Sequence, residues 1–162
     1  MGETASVVLQ SLRRLLERTP VRTFVIYPLA VIACELVLRG GRLVVVPWGG
    51  LLLAWGYLQY QLTGHHRVHV GGGGPGITVP PERLVEDGLY GWTRNPMYLG
   101  HLIFMLGLAV TFASWVALIL LAVNVLWFHR RVLDDEARLR AQFGQRYVEY
   151  QARVKRWIPG VL

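Results

Sequence analysis

The sequence predicts an all-α fold: an integral membrane helical bundle of about four transmembrane helices, with an N-terminal amphipathic helix and a C-terminal cytosolic helix. Three observations predict it. Of 162 residues 53% are hydrophobic, and they fall in long blocks rather than in the alternation of a soluble fold. Only 17% are charged, and these cluster between and after the blocks. With four spans, fifteen of the seventeen Lys and Arg residues fall on one side, which the positive-inside rule makes cytosolic. Both termini then face the cytosol. The net charge of +7 is flanking charge of this kind, and no interleaved aromatic and basic pattern points to nucleic acid.

The chain reads as one unit, 1–162, in four parts. Residues 1–22 form an interfacial helix: Val8, Leu12, Leu15 and Leu16 recur at helical spacing opposite Arg13, Arg14, Glu17 and Arg18. The two arginines also argue against a signal peptide. Residues 23–63 hold two spans, about Phe24 to Leu38 and Leu43 to Leu62, joined by a turn at Arg39–Arg42. Glu35, the one acid within a span, sits four residues before Arg39 and reads as an i,i+4 pair. Cys34 lies in an apolar run and reads as buried and inert. Residues 64–81 read as a glycine-rich loop. The glycines from Gly71 to Gly76 have neither the preceding strand nor the Lys of a phosphate loop. His65 and His69 lack a third ligand of matching spacing, so no metal site is expected.

Residues 82–162 carry the candidate chemistry. The run from Met97 to Phe128 is apolar for 32 residues, with Thr111 and Ser114 near its middle, and reads as a helical hairpin. After it, Leu139, Phe143, Tyr147, Tyr150 and Val154 form a stripe at spacings of three and four, on a helix with a bend at Gly144. At the hairpin's entry, Pro96 suits the first turn of a helix and Asn95 the N-cap. Such a helix start favours an anionic group, and Arg94 adds charge beside it.

This entry, Gly88-x-Tyr90-x-x-x-Arg94-Asn95-Pro96-x-Tyr98-x-Gly100, resembles the Arg-His-Pro-x-Tyr-x-Gly signature of the isoprenylcysteine carboxyl methyltransferase and phospholipid methyltransferase family. Asn95 stands where that family usually has His. A second match follows: Arg131 through the paired acids Asp135 and Glu136, then Phe143-Gly-x-x-Tyr147-x-x-Tyr150, Val154 and Pro159. The resemblance covers about half the chain. It implies methyl transfer from S-adenosylmethionine to a lipophilic or lipid acceptor with a carboxylate, amine or thiol. It places the cofactor contacts at Glu82, Leu84 and Val85, at Tyr90, Asn95, Pro96, Met97 and Tyr98, and at Asp135 with Glu136. It makes Arg131 the substrate-side arginine. Arg131 and Arg94 are the pair assigned to the reaction. His101, one turn into the third span, either lines the site with Arg131 on the acceptor side or bonds a neighbouring helix.

The residue chemistry fits. Tyrosine faces suit a sulfonium, and Asp135 suits an ammonium or hydroxyl. Arg131 suits a carboxylate or phosphate. A carboxylate acceptor needs no general base; an amine or thiol would turn to His129 or Glu136. The partners expected are the bilayer and a small lipophilic acceptor, with no nucleic acid. Two other readings compete. One is an NADPH-dependent sterol-reductase-like membrane enzyme, which resembles the same C-terminal motifs. The other is a non-catalytic membrane scaffold of the same fold.

Overall fold

The structure is a computed structural model that describes residues 18–73 and 81–158. The predicted interfacial helix of residues 1–22 lies almost wholly outside the described residues. All regular structure among the described residues is helical. Helix α1 spans Thr19–Leu38, α2 Gly49–Gly71, α3 Pro96–Thr111, α4 Trp115–Phe143 and α5 Gln145–Arg153; a short 3₁₀ turn occupies Gly88–Gly91.

α1 begins earlier than the hydropathy suggested, because Pro20 is a favourable first-turn residue. Its first turns are irregular. Arg22–Ile26 form a π-helical turn, in which the Tyr27 N–H reaches back to the Arg22 carbonyl. At the far end Glu35, buried, pairs with Arg39 at 2.6 Å, as the spacing predicts. Arg39 also donates to the Phe112 and Ala113 carbonyls at 3.3 and 2.8 Å. The pair therefore pins the end of α1 to the α3–α4 turn. Cys34 is exposed on α1, not buried.

The second helix departs from its predicted bounds at both ends. Residues 43–48 are not helical: three successive valines and Pro47 favour extended backbone. Val46 donates to the Thr111 carbonyl at 2.7 Å instead. At the other end α2 runs eight residues into the stretch read as a loop and stops at Gly72, whose φ is +68°. Gly64 does not break it.

α2 and α3 pack through a glycine seam. A Cβ at Gly56 would lie 2.5 Å from the Phe104 backbone nitrogen, and one at Gly107 would lie 2.7 Å from that of Leu53. Gly100 and Gly107 thus serve close helix approach, and α2 fills the space beside them. The hairpin expected over 97–128 is present. Ser114 caps α4 by accepting from the Ala117 N–H at 3.1 Å.

α4 does not end at the last apolar residue. It continues through the charged segment to Phe143, 29 residues or about 43 Å. Arg131, Asp135 and Glu136 are therefore held in rigid register with Phe128. Gly144, at φ +56°, then turns the chain into α5.

Among the described residues two helices, Thr19–Leu38 and Trp115–Phe143, are long and apolar enough to cross a membrane; Pro96–Thr111 is apolar but shorter. Large apolar side chains point outwards, with Val37 81% exposed and Trp115 76%. Such a surface suits hydrocarbon better than water.

The seam gives a direct test. Gly56→Ala should lower stability by about 1–3 kcal/mol, because its neighbours are backbone and cannot move aside. Gly50→Ala, where nothing lies within 4 Å, should be neutral or slightly stabilising. Thermal unfolding in detergent measures both; equal effects would mean that α2 and α3 are not in contact.

Candidate functional site

A buried carboxylate organises the end of the bundle. Glu136 accepts from Arg94 at 3.1 and 3.2 Å and from Arg156 at 3.1 and 2.9 Å. It also accepts from the side-chain amides of Asn95 and Gln151, each at 3.3 Å. Arg94 uses its remaining donors on the carbonyls of Gln151 and Val154. Burial pushes the Glu136 carboxyl up, but its bonds and charge contacts with Arg156 and Arg94 outweigh this and hold it below the usual carboxylate range.

The clamp shapes the entry to α3. The Arg94 N–H bonds to the Lys155 carbonyl, and the Thr93 hydroxyl to that of Arg156. Asn95 occupies the N-cap position as predicted, but its side chain does not cap the helix. It turns to Glu136 and the Arg156 carbonyl instead, because a buried carboxylate is the stronger acceptor. The first turn of α3 is thus left without a side-chain cap.

A cleft with about 770 Å³ of empty space, partly open to solvent, lies beside this turn. Leu84, Val85 and Tyr90 line one side, and Asn95, Pro96, Met97 and Tyr98 the floor; Asp135, Arg138 and Leu139 of α4 face them. Tyr147 and Tyr150 of α5 close the end, and Arg67 reaches in from α2. Leu84 is locked against Tyr147, Tyr150 and Val154, and Gln142 holds the Pro81 carbonyl at 2.8 Å. Glu86 ties the same segment to α5 through Arg146 and Arg153.

At the mouth, the Tyr98 hydroxyl donates to Asp135 Oδ2 at 2.5 Å and accepts from Arg131 Nε at 3.0 Å. Asp135 also pairs with Arg138. Arg131 rests over the Trp127 ring, 5.7 Å from its centroid. Desolvation pushes the Tyr90 phenol up to about 12, so at neutral pH it stays a protonated donor.

The structure brings together most of the residues singled out in the sequence. Leu84, Val85, Tyr90, Asn95, Pro96, Met97, Tyr98 and Asp135 line one cleft, and Arg131 is bonded to it through Tyr98. Three lie elsewhere. Glu82 is exposed and packs its carboxylate over Gly72. Glu136 sits behind the cleft, saturated by its arginines. His101 is enclosed among rings and does not line the cleft. Arg94 lines the cleft, but its guanidinium is taken up by structural bonds. Arg67 was missed. Its signal was legible as a stripe: Gly56, Gln59, Thr63 and Arg67 recur at helical spacing, and all four are buried.

Removing the charge at the centre of the clamp tests its weight. Glu136→Gln should destabilise the fold by about 3–5 kcal/mol, since it strands two arginines. The pH dependence follows from the lowered carboxyl. The unfolded chain binds the proton more readily than the folded one, so the stabilisation is complete above the ordinary Glu value of about 4.3. It is lost as pH falls from there through the lower folded value. Acid unfolding followed by circular dichroism should show this loss in the wild type and a flatter profile in Glu136→Gln.

Comparison with known proteins places these features. A model of the phospholipid methyltransferase family matches residues 72–146. The Protein-S-isoprenylcysteine O-methyltransferase of Schizosaccharomyces pombe is 37% identical over 78 residues, 47% of this chain and 33% of its own. The B form from Arabidopsis thaliana is 38% identical over 81 residues, 49% of this chain and 41% of its own. The Lamin-B receptor of Drosophila melanogaster is 30% identical over 84 residues, 50% of this chain and 11% of its own. The chain spans between a third and two fifths of the length of the first two relatives. The matched residues contain the α3 entry, Arg131 and the paired acids. The match to the phospholipid methyltransferase family model covers a little under half of the chain and takes in most of the residues that line the cleft.

Proposed function

We propose that the protein is an integral membrane methyltransferase that carries a methyl group from S-adenosylmethionine to a lipophilic or lipid acceptor. The observation that carries this reading is the Arg131–Tyr98–Asp135 network at the mouth of a cleft lined mostly by residues of the family match. The cofactor supplies a methyl group on a sulfonium, a leaving group that needs neither metal nor covalent intermediate.

The cleft's chemistry fits a zwitterion with a flat apolar end. Leu84, Val85, Met97 and Leu139 offer apolar walls, and Tyr90 and Tyr150 flat faces. Asp135 suits an ammonium or a ribose hydroxyl. Arg67 and the uncapped start of α3 suit a carboxylate. A bound sulfonium is favoured near tyrosine faces, where the ring quadrupole attracts it. Arg131 spends only Nε on Tyr98, so its paired terminal nitrogens suit an acidic group of the acceptor or of a lipid.

The topology that goes with this reading has four crossings, α1 to α4, with both termini and the cleft on the cytosolic side. Three features support it. The α1–α2 and α3–α4 turns share one end of the bundle, tied by Arg39. Trp48 and Trp115, both strongly exposed, lie at that end as interfacial anchors would. The charged half of α4, with α5, lies at the other end beside the cleft.

Calorimetry with S-adenosylmethionine on detergent-purified protein tests the reading. The wild type should bind saturably. Tyr98→Phe and Asp135→Ala should weaken binding about tenfold to a hundredfold, the value of a hydrogen bond to a charged group. Glu82→Ala, on the far side of Gly72, should bind as the wild type does. A folded wild type that binds none overturns the proposal, and NADPH is then the ligand to try.

A further inference from the structure

Among the described residues His101 has no polar partner. It is fully enclosed in α3, and neither ring nitrogen makes a hydrogen bond. Its surroundings are rings: Phe24 stacks on it at 4.8 Å, with Tyr60 at 4.8 Å and Phe128 at 5.6 Å. A closed interior penalises such a group, and folded proteins rarely keep one without a reason. Phenylalanine would fill the same space without the penalty.

A second irregularity meets it there. Phe24 belongs to the π-helical turn Arg22–Ile26, a feature that recurs at functional sites. Phe24 itself is only partly buried, and its neighbour Val25 is 50% exposed on the apolar outer surface. The ring cluster also adjoins the cleft mouth, since Phe128 packs on both His101 and Tyr98, the latter at 5.1 Å. The other candidate bases are occupied: Glu136 by its arginines, and His129 by the indole N–H of Trp157 at 3.4 Å.

We propose that Phe24 covers a buried acceptor subsite whose polar anchor is His101. An apolar molecule from the bilayer displaces Phe24, and its uncharged hydroxyl, thiol or amine hydrogen-bonds the imidazole. A charged group is excluded, because the walls are rings with no counter-charge. The subsite rests on the methyl-transfer reading only in naming its occupant as the acceptor.

The test uses the full chain in phosphatidylcholine vesicles. The probes are decanol bearing a photoactivatable diazirine and the matching hydrocarbon without the hydroxyl. The alcohol should label the segments bearing Phe24 and His101 saturably, about tenfold above the hydrocarbon, the value of one hydrogen bond. His101→Phe should abolish that difference while raising the melting temperature, and Phe24→Ala should increase labelling by the alcohol. Equal labelling by both probes, or undiminished labelling in His101→Phe, overturns the proposal and leaves the imidazole as packing. S-adenosylmethionine binding, measured in parallel, should be unchanged in His101→Phe. A wild type that takes the alcohol but not S-adenosylmethionine keeps the subsite and removes the methyltransferase reading; the reverse result removes the subsite alone.

Discussion

Glu136 accepts hydrogen bonds from two arginines and two amides, and in doing so it joins three segments that share no secondary structure. One is the approach to α3, through Arg94 and Asn95. Another is α4, which carries the carboxylate. The third is the end of α5 with the segment after it, through Gln151 and Arg156. Each bond is to a buried charge, so none is optional: removing a single partner strands the others in a poorly solvating interior. The cleft is the space these three segments leave between them. Its floor is α3, its side α4 and its end α5, so its shape follows from the clamp rather than from hydrophobic packing alone.

The clamp also explains where the sequence could be read and where it could not. The hairpin, its turn at Ser114, the Glu35–Arg39 pair and the bend at Gly144 all follow from local rules: apolar run length, capping, i,i+4 spacing and the freedom of glycine. The gathering of Tyr90, Tyr98 and Asp135 in one cleft was legible only through the resemblance, because nothing local brings residue 98 to residue 135. What local rules did not give was where two of the side chains point. Asn95 was read as a cap by position, yet a carboxylate 41 residues away outcompetes the backbone for its amide. Glu136 is the acid next to Asp135, yet the two point to different places. One residue further along α4 turns its side chain by about 100°, from the mouth of the cleft to the arginines behind it.

The extent of α2 was missed for a related reason. Gly64 and three histidines look like the start of a loop, and hydropathy falls there. The helix persists because its buried face carries Gln59, Thr63 and Arg67, and polar residues on a buried face are invisible to a scale that scores only apolarity. Gln59 donates to the Pro96 carbonyl at 2.9 Å, tying α2 to the start of α3. Arg67 then reaches the cleft. The glycine seam lets the two helices come close enough for these contacts. Small residues and buried polar residues on α2 thus have one common effect, which is to hold the first turn of α3 in place.

On the proposed topology, α4 links the two environments of the protein, hydrocarbon and water. Its first half faces outwards with Ile119 and Leu126, both more than 60% exposed, as a surface for hydrocarbon. Its second half carries Arg131, Asp135, Glu136 and Arg138. No joint separates the halves, so the depth at which the apolar half rests sets the height of the charged half above it. Trp127 marks the boundary, with the Arg22 and Arg131 guanidiniums 5.4 and 5.7 Å from its ring centroid. Indole and guanidinium both favour the zone between hydrocarbon and water. That places Tyr98, bonded to Arg131, at the same level. A polar molecule in the cleft and an apolar one between the helices would therefore meet there, each from the medium that dissolves it.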